Sequence, residues 1–401
     1  MKYSTKSLLF ATALASTTAA APVLSTIRSA LTSKSYWTTT AAVSEKPVNE
    51  VVYAQAGGTF AVLHFNNEPG KFSTEGRMDP IVSPGMNSSH THGIMGGSNF
   101  GLTIDGDQLL GSSCTNAKIA NDKSNYWVAP IYFQSPADGK FKQVPLYYMN
   151  VYYFFEPTND VISPFPPGLK MVSGDSSKRD PPSSGSGALQ LDPSKGDIQA
   201  VQWTCPTNGD PDRYPPGSDG STAGIADPNN RAAGAGFPIV NCDGTYSPLR
   251  QDIHMPSCYN PEAGLDDHLN NMAFPITGSD GMQDCPEGWT HVPHLFYEVY
   301  YDTPQFADQW TPDGQNQPFV LANGDRTGFS SHADFVAGWD EKTLQTIIDS
   351  CNAGTLGMET CPDVPGGLNT ETCPIESAFP NPTDEWIDAL PGDNPLAGWG
   401  V

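Results

Sequence analysis

The chain has 401 residues and carries 44 acidic against 20 basic side chains, a formal net charge of -24. So acidic a surface repels nucleic acid and anionic membranes, and no basic, aromatic-rich groove in the sequence offsets it. With 37 Pro and 39 Gly, about a fifth of the chain is turn-forming residue, which suits a loop-rich β protein better than a helical one.

At the N-terminus, Lys2 and Lys6 precede the apolar run LLFATALA and the small residues STTAAAP, the layout of a cleavable secretory signal over residues 1–20. The Ser/Thr/Ala-rich stretch 21–46 has little to bury and reads as a linker or propeptide. Residues 47–351 are expected to form a single β-rich domain, with 352–401 a Pro/Gly-rich, Cys-containing tail packed on it. No later window offers eighteen consecutive apolar residues, so the expectation is a secreted, extracellular or wall-associated monomer without a membrane span.

Short β-favouring runs recur along the body: VVYAQ, FAVLHF, NYWVAPIYF, VPLYYMNVYYFF, LKMVSG, DIQAVQWTC, HLFYEVYYDT and QPFVLANG. Their aromatic and β-branched content, their length and their regular spacing predict a mainly β fold, a disulfide-stabilised sandwich or jelly-roll with long loops. The segments from Gly174 to Asp197 and from Asn208 to Gly236 are poor in large apolar residues and read as exposed insertions. In DEKTLQTIIDSC, Asp340 can cap a short C-terminal helix whose apolar stripe is Leu344, Ile347 and Ile348.

Eight cysteines in an exported chain favour up to four disulfides. Five precede residue 300 and three follow it, both odd numbers, so complete internal pairing needs at least one bridge from tail to body. There is no CxxC pair, which leaves His and carboxylate as the available metal ligands.

The histidines are distributed unevenly. SHTHG holds His90 and His92 two positions apart, so in an extended segment both rings point to one side. GLDDHLNNMAFP offers Asp266, Asp267 and His268; WTHVPHLFYEVYYD offers His291, His294 and Glu298; NGDRTGFSSHADFVAGWD offers Asp325, His332 and Asp334. Two chemistries need such a set. A zinc, copper, manganese or calcium ion could be held by imidazole with carboxylate, with His90, His92 and His332 as the metal ligands. Alternatively, His90, His92, Asp267, His268, Asp325, His332 and Asp334 could act as acids and bases in glycosidic cleavage, as a glycoside hydrolase or a polysaccharide lyase. Arg77, Trp203, Trp289 and Trp339 would then line a groove for a polysaccharide or cell-wall glycan. Ser/His/Asp catalysis is disfavoured by the absence of a G-x-S-x-G elbow. His64 and His254 read as structural, and the sequon at Asn87 marks an exposed loop if glycosylated.

The ordered set RMDPIVSPGMNSSHTHGIMGGSNF, PPGLKMVSGD, FPIVNCDGTYSPLRQDIHMPSCYN, DDHLNNMAFP, CPEGWTHVPHLFYEVYYDT and PFVLANGDRTGFSSHADFVAGWD resembles the fungal secreted domain-of-unknown-function family nineteen-ninety-six, some of whose members carry WSC modules. The resemblance covers about residues 51–351. It implies a secreted or wall-associated protein connected with wall, stress and metal-ion responses, and a site among His90, His92, Asp267, His268, His291, Asp325, His332 and Asp334. The chain departs from the family pattern at Asn271, where a second histidine of the DDHLNN segment is expected.

Two readings compete: an enzyme acting on extracellular polysaccharide through a His/Asp cleft, assisted by a cation, and a non-enzymatic divalent-metal-binding or stress-response protein. A structural wall protein, whose histidines only brace loops, is the third.

Overall fold

Two antiparallel sheets dominate the residues that the computed structural model describes, 58–244, 248–381 and 384–400. The expected signal, the 21–46 stretch and the run VVYAQ lie outside them. The described residues all belong to one compact unit.

The larger sheet has seven strands in the order Thr59–His64, Leu146–Phe155, His294–Tyr301, Arg250–His254, Val201–Thr204, Asn230–Ala235 and Ile225–Asp227. The second has five, in the order Thr74–Met78, Asn87–Gly96, Asn125–Val128, His332–Val336 and Lys170–Gly174. Leu63, Val151, Tyr153, Ile253, Leu295 and Tyr297 of the first share one buried cluster with Met95, Tyr126, Val128, Met171 and Phe335 of the second. The fold is therefore mainly β and sandwich-like, with alternate residues of each sheet turned inward. Each such side chain contributes about 1.5–3 kcal/mol on burial. Tyrosine hydroxyls inside this core find partners: Tyr126 bonds Tyr153 at 2.6 Å, and Tyr297 donates to the Asp334 carbonyl at 3.0 Å.

The other face of the five-stranded sheet carries a smaller core of Met78, Ile81, Ile94, Phe100, Leu109, Trp127, Val336 and Ile375. Part of that face is polar, and it is where the histidines gather.

Four disulfides close the described chain: Cys114–Cys373, Cys205–Cys242, Cys258–Cys285 and Cys351–Cys361. Cys114–Cys373 is the bridge from tail to body that the odd counts require. The helix Glu341–Ser350 forms with Asp340 accepting from the Thr343 amide and with Leu344 and Ile347 buried.

Three departures from the sequence reading have physical causes. NYWVAPIYF is two strands, Asn125–Val128 and Ile131–Gln134, in different sheets, because Pro130 cannot continue a ladder. The stretch from Asn208 to Gly236 is not all exposed insertion. Its end supplies Ile225–Asp227 and Asn230–Ala235, where Gly234 leaves room for the Ile225 carbonyl and the Tyr214 ring, 2.3 and 2.7 Å from where a Cβ would stand. A five-residue helix, Gly106–Leu110, forms on a capping box between Asp105 and Gln108.

Candidate functional site

His90 and His92 lie on the strand Asn87–Gly96, and His332 opens the strand His332–Val336. Asn125–Val128 runs between them, with Trp127 in register with both Ile94 and Asp334. Alternation then turns His90, His92, Ile94, His332 and Asp334 to the same face. Ring centroids lie 4.4 Å apart for His90 and His92, 5.0 Å for His90 and His332, and 5.8 Å for His92 and His332. The three residues each offer a ring nitrogen, all within 4.8 Å of one another.

The other ring nitrogens fix the orientation. His92 Nδ1 donates to the Met78 carbonyl at 3.0 Å, and His332 Nδ1 donates to the Ser330 carbonyl at 2.8 Å. Both Nε2 atoms are consequently lone-pair acceptors, and His92 Nε2 is buried without a hydrogen-bond partner. His90 Nε2 lies 3.1 Å from His332 Nε2, and its Nδ1 lies 3.1 Å from Ser89 Oγ. Since His332 Nε2 only accepts, the metal-free pair requires the proton on His90 Nε2, with the Ser89 hydroxyl donating to His90 Nδ1. A hydroxyl both donates and accepts, so Ser89 also accommodates the tautomer in which His90 Nε2 is bare.

Electrostatics keep the rings neutral. Burial, followed by repulsion from His92, His332 and Arg179, holds His90 well below the ordinary imidazole range. Burial pushes His92 down to about 4, against an opposing attraction from Asp79, and burial lowers His332 as well. Asp334 is pushed the other way: burial and the Asp79 charge raise it well above the carboxylate range, so it stands as a neutral acid. Its Oδ2, like the neighbouring Trp127 Nε1, is buried without a partner.

Several expected site residues are elsewhere or do other work. Asp325 is fully buried and accepts from the amides and hydroxyls of Thr327 and Ser330, at 2.7 to 2.9 Å. It is no free base; it ties the turn that delivers His332. Asp267 is exposed and bonded to Asn270, and neither it nor His268 belongs to a cluster of ligand atoms among the described residues. Asn271 is buried and its Nδ2 donates to the Lys170 and Leu265 carbonyls, so the departure from the family pattern falls on a loop-fastening position.

Trp203 and Trp339 do not line a groove: both are fully buried in the main core. Their indole N–H groups donate to the Gly328 carbonyl at 2.9 Å and to Tyr153 Oη at 2.8 Å, which is what permits so large a side chain with a polar atom to be interior. Trp289 is half-buried, and half-buried Arg77 gives its backbone amide to Phe379 of the tail.

His291 and His294 join a separate network. Glu156 bridges His294 Nδ1 at 2.5 Å and His291 Nε2 at 3.0 Å, Ser257 donates to it at 2.9 Å, and His254 Nδ1 meets His294 Nε2 at 2.9 Å. Burial alone would raise Glu156, but the two histidines outweigh it and hold the carboxylate well below its usual range. Asp160, Cys285 and His291 also approach one another, yet Cys285 is bonded to Cys258 and offers no thiolate.

Residues 79–339 match the family described as Domain of unknown function (DUF1996). The chain belongs to this family. No curated protein and no solved structure matches it. The DUF1996 region contains all three clustered histidines and the residues that orient them from Ser89 onward, while the Met78 carbonyl stands immediately before its first matched residue, Asp79. Asp79, Ser89 and Ser330 are not among the expected site residues; Ser89 and Ser330 stand one and two positions before a histidine, whereas Asp79 reaches the cluster only through the fold.

Gly174 pairs with His332 at a φ of 87°, and a Cβ there would lie 2.3 Å from the Ser331 carbonyl oxygen and 2.8 Å from His332 Cα. Gly174→Ala is expected to cost about 2 kcal/mol through strain and overpacking, measured by denaturant unfolding. Wild-type stability in this variant would contradict the close approach.

Proposed function

We propose that this DUF1996 chain is an exported metal-centre protein, in which His90, His92 and His332 hold one zinc- or copper-class ion. One observation carries the reading: three imidazoles from two strands bring their ring nitrogens together while backbone carbonyls orient His92 and His332 from behind, the arrangement that ligating histidines require. The 3.1 Å between His90 Nε2 and His332 Nε2 is close to the roughly 3.3 Å that two nitrogens span when each is about 2.05 Å from a tetrahedral ion. An all-imidazole set favours zinc or copper over calcium or manganese, which prefer oxygen. Such an ion would supply Lewis-acid chemistry at this cluster.

Export is supported by the four disulfides, which form and persist in oxidising compartments. The acid–base reading of polysaccharide cleavage loses Trp203 and Trp339 to the core, and Asp325 to the turn it holds.

The test is elemental analysis of the purified protein after equilibration with zinc or copper, beside His90→Ala/His332→Ala. Near-stoichiometric ion in the wild type and under about a tenth of that in the folded variant is expected, since one imidazole cannot hold what three do. Equal content in both would sink the proposal.

A further inference from the structure

Asn87-Ser88-Ser89 is the single N-x-S/T triplet without an intervening proline in the 401 residues. Asn381-Pro382-Thr383 fails for its proline, and the Asn381 amide already donates to Thr91 Oγ1 at 2.7 Å.

The fold gives the triplet a particular setting. Asn87 opens the strand Asn87–Gly96, where its backbone pairs with Met78, so it stands on a strand and not in a loop. Burial then alternates: Asn87 and Ser89 are exposed, while Ser88 and His90 are buried. The Asn87 side chain is therefore on the solvent side of the strand that carries His90 and His92 toward their cluster. A large group on Asn87 Nδ2 has solvent to enter and no core side chain to displace. From the same exposed side the Ser89 hydroxyl reaches back to His90 Nδ1, at 3.1 Å.

We propose that Asn87 carries an N-linked oligosaccharide and that Ser89 serves twice. In the nascent chain its hydroxyl completes the acceptor triplet; after folding it hydrogen-bonds His90. The inference rests on the export part of the proposed function and is independent of the metal. The co-reactant is a polyprenyl-diphosphate-linked oligosaccharide with N-acetylglucosamine at its reducing end. Asn87 Nδ2 attacks the anomeric carbon of that sugar, and a C–N bond forms as the C–O bond to the diphosphate breaks. The electron pair leaves on the diphosphate, and one amide proton passes to a base of the transferase. The linkage remains a neutral amide with one hydrogen.

The test is expression of the full chain in a eukaryotic secretion host, followed by a peptide-N-glycosidase, which removes only asparagine-linked sugar. Wild type should lose the mass of one glycan, with Asn87 converted to aspartate in peptide maps. Asn87→Gln and Ser89→Ala should run at the mass of the treated wild type, whereas Ser89→Thr, which keeps the hydroxyl, should retain the glycan. Secreted wild type without a mass loss overturns the inference, as does a loss that survives in Asn87→Gln. Wild type held in the cells without sugar overturns the export reading and this inference with it. In nitrogen-15 spectra of the imidazoles, Ser89→Ala should shift His90 Nδ1 and Asn87→Gln should leave it in place. An unmoved resonance in Ser89→Ala, or an equal shift in both variants, overturns the second use of Ser89.

Discussion

Zinc affinity should fall by much less than a thousandfold between about pH 7.5 and about pH 5.5. Protons compete with a metal for imidazole only below the pKa of the ring. A site of three imidazoles with ordinary values near 6.5 would pay for three deprotonations at pH 5.5, a loss of about a thousandfold in affinity. Here burial holds His92 at about 4 and shifts His90 and His332 in the same direction. A lowered pKa means that the lone pair stays free further into acid, so the loss of affinity by about pH 5.5 should fall well short of a thousandfold. Below about pH 4 His92 itself takes a proton, and affinity should then fall steeply. Competition titrations against a chromophoric chelator at about pH 7.5, 6.5 and 5.5 read this directly. A thousandfold loss by pH 5.5 would mean that the rings are solvated, contrary to their burial. The sign differs for folding stability, where raised acids such as Asp334 and Glu75 oppose the lowered histidines as pH falls. Metal affinity isolates the histidines from that sum.

How much of this was legible in the sequence depends on range. Period-two alternation in SHTHG correctly puts His90 and His92 on one side of a strand, because that geometry is local. The same holds for the Asp340 cap and the Leu344, Ile347 stripe of the helix. That His332, 242 residues away, completes the cluster follows only from the intervening strand Asn125–Val128, whose pairing on both edges no local pattern reveals. Carboxylates beside histidines were a poorer guide. Asp325 lies in a Gly-flanked turn, where an Asp accepts from amides two and five residues on, and that turn chemistry claims both of its oxygens. Asp79, which escaped notice, is the carboxylate whose charge reaches His92, His332 and Asp334. Tryptophans misled for a related reason: an exposed and a buried indole look alike in sequence, and only the carbonyl or hydroxyl waiting at the N–H decides.

Trp203→Ala is expected to destabilise the protein by about 3–5 kcal/mol, the range for removing a fully buried large aromatic, with Trp339→Ala similar and Trp289→Ala below about 1 kcal/mol. The first two empty volume in the main core and take away the donors to the Gly328 carbonyl and to Tyr153 Oη, whereas Trp289 is only half-buried. Urea unfolding of the three variants provides the comparison. If Trp203 and Trp339 formed a sugar platform, they would instead cost binding and leave the unfolding midpoint unmoved. Trp203 adds a further expectation that links core to site. Its N–H anchors Gly328, inside the turn from Asn323 to Ser330 whose last carbonyl orients His332. Even at temperatures where Trp203→Ala remains folded, zinc should therefore bind more weakly than to Trp339→Ala, although neither indole touches a ligand. Equal zinc affinity in the two folded variants would show that Asp325 alone suffices to hold the turn.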